Sequence, residues 1–152
     1  MTPTRCAILV LVLATGSLSA ATSQQQRRLT PDEIDRIASA AGGPGTSGLP
    51  GVAMTVLYGD PTKAGLYTIR LKVAPDTVIE AHTHKDTRTA TVVSGTWYFG
   101  YGNKNTRESV RELPAGSFYT EPAGDAHFAR THADGAVVLI TGYGPTDTEY
   151  LK

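Results

Sequence analysis

Cysteine is almost missing from this sequence: Cys6 is the only one in 152 residues. An excess of either charge is missing too, since 14 Lys and Arg balance 14 Asp and Glu. Nucleic acid and anionic membrane surfaces recruit basic proteins, so neither is expected as a partner. Long apolar runs are also lacking. The one candidate, residues 6–14, is too short to cross a bilayer, which argues against a stable membrane anchor. Long helices are disfavoured as well, because 16 Gly and 9 Pro interrupt the chain at short intervals.

What is present begins with a processing signal. Arg5 precedes the apolar stretch, and small polar residues follow it up to Ala20-Ala21. This charged, apolar and small-residue order is that of a secretory signal peptide, so residues 1–21 are expected to be removed and the protein to be secreted or periplasmic. Cleavage takes Cys6 with it. The mature chain then has no disulfide, thiol nucleophile or thiolate metal ligand. Arg5 leaves too, so the 14 basic side chains become 13 against 14 acidic ones.

Residues 22–50 read as a preamble to the fold. A polar leader runs to Arg28. Thr30, Pro31 and Glu33 then have the spacing of a capped helix start, with Ile34, Ile37, Ala38 and Ala41 forming one narrow apolar stripe. Gly42-Gly43 ends the expected helix. The Gly- and Pro-rich stretch 42–51 is compatible with a linker or with an ordered wrapping segment.

From residue 52 the apolar period changes to two. In 66–73, Tyr67, Ile69, Leu71 and Val73 alternate with Thr68, Arg70 and Lys72, which predicts a strand with one buried face. Further strands are expected at 52–58, 89–93, 96–101, 110–113, 117–120, 127–131 and 136–141, with turns at Gly95, Gly102-Asn103 and Pro114-Ala115-Gly116. Short strands punctuated this often predict an all-β sandwich or small barrel over residues 51–152.

The chemistry-bearing residues are histidines. His82 and His84 are two apart, so an extended strand turns both rings to one face, where neutral imidazole nitrogens can share a divalent ion. By itself an H-x-H pair is weak evidence. Its setting is more specific: Arg88 follows His84 after three residues and Gly95 follows after six more. Downstream, Gly116, Pro122, Gly124 and His127 are spaced G-x5-P-x-G-x2-H.

These two stretches resemble the paired motifs of the cupin family, G-x5-H-x-H-x(3,4)-E-x6-G and G-x5-P-x-G-x2-H-x3-N. The second motif departs only at Thr131, which stands in place of Asn. The resemblance covers about residues 51–141 and implies a single small jelly-roll β-barrel with a short N-terminal helix outside it. It further implies that His82, His84 and His127 converge on a divalent metal such as Fe, Zn, Mn or Ni. His132 matches no motif position and reads as a surface residue. Pairing of two barrels into a homodimer is also implied by the resemblance.

One departure bears on function. The family's usual Glu ligand falls at Arg88, which has no lone pair to give and stays protonated. A carboxylate from elsewhere could complete the site. Glu80 has the strand parity of the two histidines, and Asp86 and Glu121 lie near the motifs. With three neutral ligands the ion keeps its double charge, and an inward Arg88 would favour a small anionic or chelating substrate. Tyr119 or Tyr67 could add a hydroxyl contact. Arg88 and Tyr119 are thus the expected substrate contacts. The resulting expectation is an exported metal-dependent enzyme, of oxygenase or Lewis-acid isomerase and lyase type, with a non-catalytic ligand-binding or sensing module as the alternative.

Overall fold

The computed structural model describes residues 26–42 and 46–152. The expected signal peptide at 1–21, the start of the leader and residues 43–45 lie outside the described residues. Among the described residues nine strands follow one short α-helix: α1 (Pro31–Asp35), β1 (Val52–Tyr58), β2 (Gly65–Val73), β3 (Val78–Thr83), β4 (Arg88–Tyr101), β5 (Arg111–Pro114), β6 (Phe118–Glu121), β7 (His127–Arg130), β8 (Ala136–Gly144) and β9 (Glu149–Tyr150), with a 3-10 turn at Arg107–Ser109 before β5. All pairings are antiparallel, in the order β1-β2-β8-β4-β7-β3-β9, with β5 and β6 both added to β4. The chain is therefore all-β, a curled antiparallel jelly roll. Among the described residues no helix is long and apolar enough to cross a membrane.

The period-two pattern of β2 is realised directly. Tyr67, Ile69, Leu71 and Val73 are buried, and Ile69 and Leu71 stand opposite Ile140 and Val138 of β8. These aliphatic pairs, with Val92 and Trp97 from β4, fill the dry part of the barrel interior.

β4 replaces two expected strands. No turn occurs at Gly95; the strand bends there and runs on, so that residues 88–95 pair with β8 and residues 96–101 with β5 and β7. A register shift between Val92 and Ser94 supplies the bend. Gly95 has φ +71°, and a Cβ there would lie 2.3 Å from the Gly135 carbonyl oxygen. Close backbone approach, rather than chain reversal, is what that glycine permits. Asp76 occupies the position of the first motif's leading glycine and keeps its left-handed backbone (φ +51°), a conformation that Asp tolerates better than most residues.

α1 is shorter than its sequence pattern predicts. The capping box is present: Glu33 N donates to Thr30 Oγ1 (3.4 Å) and Thr30 N donates to Glu33 Oε2 (2.7 Å). The helix nevertheless stops at Asp35 rather than at Gly42. Ala40, expected inside it, exchanges two 2.8 Å backbone hydrogen bonds with Met54 and so extends the chain alongside β1. A narrow stripe of Ile and Ala offers too little burial to resist that pairing.

Candidate metal centre

His82 lies on β3, His84 one residue past its end, and His127 opens β7 directly opposite His82. The two motifs are also joined through backbone, because Gly124 N donates to the His84 carbonyl (2.8 Å). All three rings are buried, with centroids 4.4–5.1 Å apart. One nitrogen from each falls within 4.8 Å of the others.

The other nitrogen of each ring decides what this cluster can do. His82 Nδ1 meets the Glu80 carbonyl (2.7 Å), His127 Nδ1 meets the Asp125 carbonyl (3.0 Å), and His84 Nδ1 meets the carbonyl of Asp147. A carbonyl only accepts, so each Nδ1 carries the proton and each Nε2 keeps a bare lone pair. Burial pushes His82 down to about 4, helped by His127, and His84 down to about 3, helped by Arg88. Burial also lowers His127. Three neutral imidazoles held in one tautomer fit a divalent ion of the kind bound by nitrogen ligands.

Arg88 points inward, at 3% exposure, and stands in register opposite Glu121 of β6. Its Nε donates to Glu121 Oε2 (2.6 Å), and an Nη2 contact to the same oxygen completes the ion pair. Burial pushes the Glu121 carboxyl up, but Arg88 and the adjacent His127 and His84 outweigh it and hold it below the usual range. The same oxygen lies 3.7 Å from His127 Nε2 and 3.9 Å from His84 Nε2. The pair offsets much of its own charge, so the positive field of Arg88 is felt chiefly at His84 and not at His127, where Glu121 outweighs it.

Of the three carboxylates suggested by sequence, Glu121 is therefore the one beside the rings. Glu80 is exposed and accepts from Asn105 Nδ2 (3.2 Å). Its parity with His82 is lost because β3 shifts register against β7 between Ile79 and His82, which turns Ile79, Ala81 and His82 all inward. Asp86 is buried but accepts instead, through Oδ2, from the Tyr67 hydroxyl (2.7 Å), and its Oδ1 has no partner. His132 is exposed, against Tyr98.

Tyr119 lines the same cavity, together with Trp97, Phe99 and Ser47. Burial, with Glu121 nearby, pushes its hydroxyl well up, so it stays protonated. The indole N–H of Trp97 lies close enough to influence that hydroxyl, yet neither atom reaches hydrogen-bond geometry. Arg88 Nη1 and His84 Nε2 are likewise buried without a hydrogen-bond partner. Four unsatisfied polar atoms converge on a cavity of about 20 Å³. Sequence reasoning missed Trp97 and Ser47, and no local pattern marks either; it also missed Asp147, which lies far from both motifs.

A family model described as the ChrR cupin-like domain matches residues 43–147. No curated protein sequence matches. Among solved structures, the RmlC-like cupin from Shewanella frigidimarina NCIMB 400 is 15% identical, with 79% of this chain and 92% of that chain covered at a TM-score of 0.58. The polyketide cyclase RemF from Streptomyces resistomycificus is 15% identical, with 84% and 88% covered at 0.62. Oxalate decarboxylase from Bacillus subtilis, a protein with Mn(II) centres, is 17% identical, with 62% of this chain but only 26% of that chain covered at 0.51. At these identities the likeness is one of fold.

Proposed function

The chain belongs to the family of ChrR cupin-like domains, and on that footing we propose that it is an exported enzyme that uses a divalent metal on a small, oxygen-chelating substrate. The observation that carries this reading is the set of three bare Nε2 atoms held by three carbonyl-anchored Nδ1 protons. The His84 Nε2 is fully buried with no hydrogen-bond partner, which is costly without an occupant, since buried polar atoms are normally satisfied. A divalent ion held by His82, His84 and His127 would supply Lewis acidity to an oxygen-chelating ligand, and position 88 offers Arg rather than a carboxylate beside it.

The chain's own groups then divide the work. Arg88 Nη1 and the Trp97 and Tyr119 donors face the cavity and can orient a ligand's oxygens. Glu121, ionised and beside two of the rings, is placed to accept a hydrogen bond from a chelating hydroxyl. Phe99 and Ile140 exclude water from the inner wall. Export is supported by the charged, apolar and small-residue order of residues 1–21. Oxygenase chemistry and Lewis-acid isomerisation or elimination both use these parts, and RemF and oxalate decarboxylase illustrate how varied the reactions of this fold are.

A second reading, a non-catalytic metal-holding or sensing module, is favoured by the small cavity, which has room for about one water. Elemental analysis of the purified protein and of His127→Ala tests the shared premise. About one equivalent of divalent metal is expected in the parent and less than a tenth of that in the variant, with the far-UV spectrum unchanged. Equal metal content in both would remove the site. Turnover of any chelating substrate by the iron- or zinc-loaded protein then separates enzyme from module.

A further inference from the structure

A slot of about 500 Å³ opens through the barrel wall between β5 and β6. Its lining comes from the last three residues of β4, Phe99 to Tyr101, and from β5 and β6. Its walls are largely aromatic: Phe99, Tyr101, Phe118 and Tyr119, with Leu113 and Arg111 alongside. Phe118 and Tyr101 are 63% and 55% exposed, a large apolar area that the packing of the barrel does not use. Tyr101 also donates from its hydroxyl to the Thr120 carbonyl (2.7 Å), which holds its ring across the opening.

Two side chains are common to this slot and the histidine cavity. Phe99 and Tyr119 line both spaces and stack at 4.2 Å with a 35° tilt. Phe99 lies 5.5 Å from the His127 ring on one side and 5.1 Å from the Tyr101 ring on the other. No hydrogen bond fastens the Tyr119 hydroxyl, so packing alone holds this partition. The opposite wall is tied down. Tyr150 donates to the Ser47 carbonyl and Thr148 to the Thr46 carbonyl, each at 2.7 Å.

We propose that the slot seats the tail of the substrate: a flat apolar ring, attached to an oxygen-chelating head that binds beside His82, His84 and His127. The inference rests on the metal-site reading above and adds to it a substrate class. A cavity of about 20 Å³ admits no organic molecule beyond its metal-bound atoms, so the rest of a ligand must occupy adjoining space. The slot is adjoining space with shared walls, and its stacked rings suit an aromatic or other planar tail. Phe99 and Tyr119 are the side chains that shift to join the two volumes.

Trp97 makes the test direct, because it is the only tryptophan in the chain and lines the cavity. The zinc-loaded protein is titrated with acetohydroxamate and with benzohydroxamate, which share a chelating head and differ in the ring, and Trp97 fluorescence is followed. Benzohydroxamate is expected to bind at least ~10-fold tighter, since a buried phenyl ring gains on the order of that ratio or more. The ratio is expected to drop at least fivefold in Thr120→Phe, which fills the slot, and at least threefold in Phe118→Ala, which removes a wall. Both positions are exposed, so neither change threatens folding. A parent ratio below about twofold, or one that both variants leave intact, overturns the slot while leaving the metal site standing. If neither hydroxamate binds, the open metal site fails and the slot falls with it.

Discussion

The β2–β8 and β3–β7 ladders are built from the same antiparallel pairing, yet they differ in what they carry. β2 and β8 stay in unbroken register from Gly65–Gly144 to Val73–Ala136, and their inward side chains are almost entirely apolar. β3 and β7 are short, slip register between Ile79 and His82, and deliver two imidazoles inward from directly opposite positions. A regular ladder buries a simple alternation at low cost. A ladder that must aim polar groups at one point gives up regularity for direction, and its stability then depends on how those polar groups are paired.

The ion pair beside the irregular ladder provides the largest test of that contrast. Glu121→Leu leaves Arg88 charged and buried without its partner, and the expected cost is about 3–5 kcal/mol by chemical denaturation. Adding Arg88→Met should recover most of it, because a pair of apolar side chains of similar size replaces the charges. Ile69→Ala in the regular ladder should cost about 2–5 kcal/mol through a cavity, and Arg88→Met should do nothing to recover that loss. If Arg88→Met rescues both or neither, the polar and dry parts of the interior do not differ in the way described.

Acid distinguishes the same two regions. His82 and His84 are pushed down from an ordinary 6.5 to about 4 and about 3, chiefly by burial. As the pH falls below 6.5 the unfolded chain takes up these protons before the folded one does. Their contribution is therefore fully present above that value and is lost progressively toward pH 4. With metal removed by a chelator, stability should fall by about 2 kcal/mol between pH 6.5 and 5.5 from the two rings together. A variant with both rings replaced by Phe should show a flatter profile across that window. An equally steep profile would mean that the loss comes from other groups.

The contrast also explains which features the sequence reveals. The alternation in β2 and the capping box at Thr30 are local patterns, the three histidines were legible through the two motifs they belong to, and each is realised. Three things were hidden. Gly95 looks like a turn because sequence does not reveal that the Gly135 carbonyl lies 2.3 Å from where its Cβ would be. The helix looks longer because its competitor for Ala40 is Met54, on another strand. Arg88 looks like an added positive charge because its partner, Glu121, is 33 residues away and is brought opposite only by the β4–β6 register. In each case the deciding partner is distant along the chain.

Glu80 is the sharpest instance, and its substitution should have the smallest effect. Strand parity places it beside His82 and His84 as a candidate ligand, whereas the register shift turns it outward to Asn105. These alternatives disagree about metal binding. If parity held, Glu80→Gln would remove a charged oxygen ligand and weaken metal affinity at least tenfold. With the shift, the change touches one exposed hydrogen bond, so stability should move by less than about 0.5 kcal/mol. Metal affinity, measured by competition with a chelator, should stay within about twofold. The backbone carbonyl of Glu80, not its carboxylate, is what the site uses, because it orients His82 through Nδ1. Substitution leaves that carbonyl in place, so a tenfold loss of metal would contradict the register shift itself.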